Sequence, residues 1–131
     1  MSMTASPIPP HLLRAYRQTG YLVAGITIRI DRRVPLVMFA AVDSRTAVIV
    51  TAWNPMSRRM PDGWNRRMQQ RLRQSLRRFV VLDAEGSLQR WREAMLLVGG
   101  DPRPVIRIAA RFRQRGVVVL RRGRTATLRL L

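Results

Sequence analysis

The run Ala47-Val48-Ile49-Val50 constrains this chain more than any other stretch. Four consecutive apolar residues, three of them β-branched, cannot alternate between a wet and a dry face. A strand over Thr46–Trp53 must therefore be covered on both sides. Asn54-Pro55 stops it, and the next residues, to Gly63, read as loop. The periodicity then predicts a helix over about 62–79. Trp64, Met68, Leu72, Leu76 and Phe79 fall on one arc, and Arg66, Arg67, Arg71, Arg73, Arg77 and Arg78 on the rest. This helix is expected to cover the face of the sheet that holds Val48 and Val50, with Met68, Leu72 and Leu76 inward.

The other segments fit a sheet with helices added outside strict βαβ alternation. Pro10 to Gln18 reads as a short helix with Leu12, Leu13 and Tyr16 on one face, ended by Gly20. Tyr21 to Ile30 reads as one strand, Asp31 to Arg33 as a turn, and Val34 to Val42 as a buried two-turn helix starting near Pro35. Phe79 to Asp83 is predicted as a short strand, Ala84 to Leu88 as a loop, and Trp91 to Val98 as a strand ending at Gly99-Gly100. Asp101-Pro102 is an N-cap followed by proline at the first helical position, opening a helix to about Gln114. Val117 to Leu120 and Thr125 to Leu130 close the chain as a hairpin, with Gly123 available for a positive φ. The fold class expected is α+β: a single compact domain over 11–131 behind a flexible tail over 1–10. Its sheet should be largely antiparallel or mixed, of five or six strands, with three or four helices.

Length and composition narrow the chemistry. The 131 residues are 47% apolar, enough for one core. Cysteine is absent and His11 is the lone histidine, which excludes disulfides, thiolate metal sites and a multi-histidine site within one chain. All 25 basic residues are arginine, so lysine Schiff-base chemistry and a P-loop lysine are excluded as well. Against 7 acidic residues they give a net charge of +18. Arginine in every basic position, spread along the whole chain, fits a G+C codon bias better than selection for phosphate contact. Nonspecific attraction to polyanions follows in either case. Arg103, Arg107 and Arg111 form an i, i+4, i+8 row that could track a phosphate backbone, or be a solvated face.

Met1 to Pro10 lacks the basic and apolar regions of a secretory signal, and no apolar run approaches the length of a membrane span. A cytoplasmic protein with no membrane attachment is the expectation. His11 lies beside Pro9-Pro10 near the terminus, a poor place to fix a catalytic imidazole.

Polar residues gather where the central strand ends. Thr51, Asn54 and Ser57 follow it directly, and Asn65 sits one turn into the arginine-rich helix. Asn-Pro turns and early-helix amides also occur for structural reasons alone. Trp91 and Glu93 share one face of their strand, and Glu93 precedes the apolar run Ala94 to Val98. A carboxylate there is expected to be partly buried and to need a partner, an arginine first of all; general acid–base work is the sharper alternative. Asn54 and Glu93 are expected to lie close together, with Trp91 walling the region from solvent. Gln114 could donate its amide to the same place.

Tyr16-x-x-Thr19-x-Tyr21, Thr51-Ala-Trp-Asn54-Pro55 with Ser57, Asn65, Trp91-x-Glu93 and Phe112-x-Gln114 occur here in that order. The order resembles a small bacterial family catalogued as a domain of unknown function, DUF3293. The resemblance spans about residues 14–120, and the Thr-Ala-Trp-Asn-Pro segment is its specific part. It implies a stand-alone domain with no established activity, cofactor or partner. The family pattern has a glycine-type residue between the phenylalanine and the glutamine; this chain has Arg113 there, and Arg115 follows.

The reading that results is a binding or interaction domain rather than an enzyme. Its candidate ligand residues are Thr51, Asn54, Ser57, Asn65, Trp91, Glu93 and Gln114, facing a small polar ligand or a protein partner. No catalytic residue, metal or cofactor is assigned. The alternative is binding of RNA or DNA backbone through Arg103, Arg107 and Arg111.

Overall fold

A computed structural model describes residues 8–131. The central strand forms over β3 (Thr46–Val50), between β5 (Trp91–Gly99) and β6 (Gly116–Arg121). It is covered on both faces, as its sequence requires. Val48 and Val50 lie under α3 (Asp62–Ser75) and α4 (Pro102–Arg111), packed with Leu72, Leu76, Val105 and Ala109. Ala47 and Ile49 point to the opposite core, which also holds Tyr21, Met38, Phe39, Leu97 and Leu120.

The described residues form one α+β domain of four α-helices around a seven-stranded sheet, where five or six strands were expected. The strand order is β2-β1-β4-β5-β3-β6-β7, and every neighbouring pair is antiparallel. The extra strand comes from the stretch read as Tyr21 to Ile30. Ala24 and Gly25 both take positive φ (49° and 80°), so the chain reverses there into β1 (Gly20–Val23) and β2 (Ile26–Ile28). The loop expected over Ala84 to Leu88 is likewise strand. β4 (Val80–Leu88) pairs with β5 along nine residues and with β1 on its other edge, so cross-strand pairing overrides the small and polar composition of Ala84-Glu85-Gly86-Ser87.

The two ends of the sheet curl towards each other. Ile30 bridges Ala126, and Arg33 bridges Thr125, just ahead of β7 (Thr127–Leu130). Both Ile30 and Ala126 belong to the core around Tyr21, so that core fills the concave side, and α3 and α4 cover the convex side. Gly99 permits a close approach on this face: a Cβ there would stand 2.5 Å from the Val42 Cβ.

Three of the four helices are shorter than their sequences suggested. α1 (Pro10–Gln18) forms with the bounds expected of it, proline being well tolerated in the first turn; the first seven residues of the expected tail lie outside the described residues. α2 (Val37–Ala41) keeps only five residues of the expected 34–42. It buries Met38 and Phe39 and exposes Leu36 and Val37, so it is not enclosed all round. α3 stops at Ser75, and a turn over Leu76–Phe79 redirects the chain into β4. α4 starts on the Asp101 cap, whose carboxylate accepts the Arg103 N–H, and ends at Arg111 rather than Gln114. In the closing hairpin, β7 starts at Thr127 rather than Thr125, and Gly123 takes the positive φ (78°).

Candidate functional site

Beyond β3 the chain does not turn straight into α3. Asn54, Met56 and Ser57 all have left-handed φ (47°, 53° and 61°), around a single 3₁₀ turn at Pro55–Ser57. Left-handed backbone is unfavourable for residues with a Cβ, so something must hold this loop. Asn65 does so from the buried face of α3. Its Oδ1 accepts the Asn54 backbone N–H (3.0 Å), and its Nδ2 donates to Asn54 Oδ1 (2.9 Å) and to the Met60 carbonyl (3.2 Å). Asn54 Oδ1 also accepts the Met60 N–H. One turn further along α3, Gln69 Oε1 accepts the Ala52 N–H at 2.8 Å. A second clamp comes from beyond α4, where the Arg113 carbonyl accepts the Met56 N–H and Arg115 Nε donates to the Met56 carbonyl.

With the loop fixed, Asn54 Nδ2 reaches Glu93 Oε2 at 3.3 Å. The sequence placed these two residues together, and they are together. Glu93 is 6% exposed and sits on the concave side of β5, in step with Met95 and Leu97. The partner expected for it was an arginine. Among the described residues no arginine pairs with it; the ion pairs are Arg73–Asp83, Arg92–Glu85 and Arg103–Asp101, all on the surface. Strand alternation explains the difference, since Arg92 points to the opposite face from Glu93 and meets Glu85 instead. Burial pushes the Glu93 carboxyl up to about 8, against the opposing hydrogen bonds from Asn54 and Thr51. At neutral pH the group is mostly a neutral acid.

Glu93 lines a cavity of about 290 Å³ between α1, the β3–α3 loop and the ends of β5 and β6. The walls are mainly apolar and aromatic: Leu12, Ala15, Leu88, Met95, Trp53 and Trp91. Trp91 is 41% exposed, so it stands at the rim and does not seal the region from solvent. Thr51, Asn54, Ser57 and Gln114 also line the cavity. The Thr51 hydroxyl is occupied by the Ala94 carbonyl (2.7 Å), and the Gln114 amide donates to the carbonyls of Trp53 and Phe112. Asn65 is outside the lining, because both ends of its amide hold the loop.

Three titratable lining residues were not among the candidates. Tyr16 and Tyr21 come from α1 and β1, and Arg115 from the approach to β6. The Tyr16 hydroxyl is pushed up to about 12, first by burial and then by the charge of Glu93, with Arg115 acting against them. Burial raises Tyr21 further. Spacing on α1 marked Tyr16 only as part of an apolar face. Gln69 had a usable signal: it lies four residues from Asn65 on the inner arc of α3, where an amide needs a reason to be.

Arg103, Arg107 and Arg111 are all exposed along α4, away from this cavity. Arg103 is taken up by Asp101, which it meets through Nε and Nη2. Two of the three therefore remain without an ion-pair partner among the described residues.

Residues 50–117, just over half of the chain, match the family described as "Protein of unknown function (DUF3293)". The chain belongs to that family. The matched stretch runs from the end of β3 through the strained loop, α3, Glu93 and α4 to the start of β6, and so contains most of the cavity wall. No curated protein and no solved structure matches the chain. Arg113, where the resemblance led to the expectation of a glycine-type residue, has a φ of +57°. Glycine suits that geometry, and the loop closes here without it.

Proposed function

We propose that this domain is a binding module that takes one compact, largely apolar organic molecule in the cavity beside Glu93. The observation that carries the reading is the state of Glu93 itself. A chain with 25 arginines leaves its most deeply buried carboxyl with no charged partner among the described residues, held only by the Asn54 amide at 3.3 Å and the Thr51 hydroxyl, in a largely apolar cavity. A buried polar group without full partners costs stability. Keeping one at a cavity wall fits a role in recognition, where few polar groups orient a ligand and apolar walls supply affinity. The volume is at the lower end of small-molecule sites, which favours a ligand built on about one ring.

The polar groups divide into two sets on this reading. Asn65, Gln69 and Gln114 shape the loop, while Glu93, Tyr16 and Arg115 meet the ligand. NMR titration of the labelled protein with small aromatic fragments tests it. Shifts should concentrate at the Trp53 and Trp91 indoles and the Met95 methyl, with Leu72 and Leu76 unmoved. Shifts that gather on α4, or none with any fragment, would remove the reading.

A further inference from the structure

The cavity has an imbalance that names a ligand class. Trp53 Nε1 is buried with no hydrogen-bond partner. Arg115 spends only its Nε on the Met56 carbonyl, and its terminal nitrogens meet no acceptor among the described residues. The Tyr16 hydroxyl also makes no hydrogen bond there; the contact at Tyr16 is its backbone carbonyl, which accepts from Tyr21. All three residues line the one cavity. Indole and guanidinium groups can only donate. The open valences are thus mostly donors, and one of them carries a positive charge.

Resting on the binding reading above, we infer that the ligand is a compact organic monocarboxylate. Its two oxygens would accept from Arg115, Tyr16 and the Trp53 indole, and its apolar body would lie against Leu12, Ala15 and Met95. Guanidinium groups suit a carboxylate, which they can hold through two N–H donors. The net charge of +18 attracts an anion and disfavours an amine.

Glu93 would oppose a second carboxylate if ionised. Burial holds it neutral below about pH 8, and in that form its O–H is a further donor to the ligand. The titratable and charged groups that line the cavity with it are Tyr16, Tyr21 and Arg115. Both tyrosines are neutral throughout the range in question, because burial raises them. Binding should then require one proton on Glu93. Affinity should be flat below about pH 8 and fall about tenfold for each unit above it.

Isothermal titration calorimetry of the full chain with benzoate, benzamide and benzylamine, from pH 6 to 9.5, tests the inference. Benzoate should bind best of the three and lose affinity above pH 8. Glu93→Gln, a permanent mimic of the neutral acid, should still bind benzoate and flatten that pH dependence. Arg115→Gln should weaken benzoate about tenfold or more at pH 7, and Arg115→Lys should recover part of the loss, with urea midpoints confirming that both variants fold. Preference for benzylamine, affinity rising with pH, or a folded Glu93→Gln variant that no longer binds benzoate would overturn the inference. Benzamide binding as tightly as benzoate would overturn the carboxylate assignment and leave the cavity reading standing. Binding of none of the three would remove both.

Discussion

The two faces of the sheet are built from alternate residues of the same strands and are finished differently. On the convex side β3 contributes Val48 and Val50, β5 contributes Leu96 and Val98, and the two covering helices answer with Leu72, Leu76, Val105 and Ala109. Everything central there is apolar, and the arginines of α3 lie outside. On the concave side, three residues before Leu96 along β5, stands Glu93, with the unpartnered Trp53 indole and a left-handed loop close by. The convex side spends its sequence on packing. The concave side gives up packing and hydrogen bonds around one cavity, and features that weaken a fold without compensation collect where a ligand can use them.

The contrast breaks most visibly at Leu72, which is fully buried under the sheet. Leu72→Ala should cost about 2–5 kcal/mol in urea denaturation, the range for a buried leucine that leaves a cavity. Fragment binding beside Glu93 should be unchanged in the protein that remains folded. A loss of binding equal to the loss of stability would show that the faces are not separable.

The same asymmetry decides what the sequence could reveal. The convex layer was readable because a period of 3.6 on α3 and an unbroken apolar β3 are strong, local patterns. The contact between Asn54 and Glu93 was also readable, since both lie at strand ends beside one long loop. The first half of β4 was legible as a strand, but its second half from Ala84 to Leu88 was not, because Ala84-Glu85-Gly86-Ser87 owes its conformation to two neighbouring strands and not to its own propensity. Tyr16, Tyr21 and Arg115 were named through the resemblance, but their meeting beside Glu93 was out of reach for a related reason. The two tyrosines stand on adjacent elements near the start of the chain and Arg115 just before β6, and the curl of the sheet brings them to one cavity. The missing arginine at Glu93 shows the limit of composition: 25 candidates do not help when strand alternation points the nearest one away.

A smaller effect sharpens the comparison through pH. Glu93 is raised from 4.5 to about 8 by burial, so the folded protein holds a proton that the unfolded chain releases. The unfolded state binds fewer protons between these values, and stability therefore falls as pH rises through that window. The slope from this group is at most about 1.4 kcal/mol per pH unit. Its stabilising influence is complete below about pH 4.5 and gone above about pH 8. Urea midpoints for the parent and Glu93→Gln, taken at intervals across the range, isolate the contribution. The parent should lose stability relative to Glu93→Gln on going from pH 5 to 8. Parallel curves would mean that Glu93 is better solvated than its 6% exposure implies.

The smallest expected change is at Arg113, where the concave site meets the end of the convex helix α4. Arg113 follows the cap residue Phe112, at the position where helices often place a glycine, and its φ is +57°. Its backbone N–H donates to the Ala110 carbonyl, and its carbonyl accepts the Met56 N–H at 2.7 Å. Backbone geometry, and not the exposed side chain, is what this residue supplies. A residue with a Cβ in left-handed backbone costs roughly 1–2 kcal/mol. Glycine would remove that cost and lose roughly 0.5–1 kcal/mol through its freer unfolded chain. Arg113→Gly should therefore stabilise the protein, by about 0–1.5 kcal/mol. Arg113→Val should destabilise it, because β-branching is least compatible with positive φ. If both variants matched the parent in thermal melts, the clamp between Arg113 and Met56 would not be holding the loop, and Asn65 alone would be left to fix Asn54 beside Glu93.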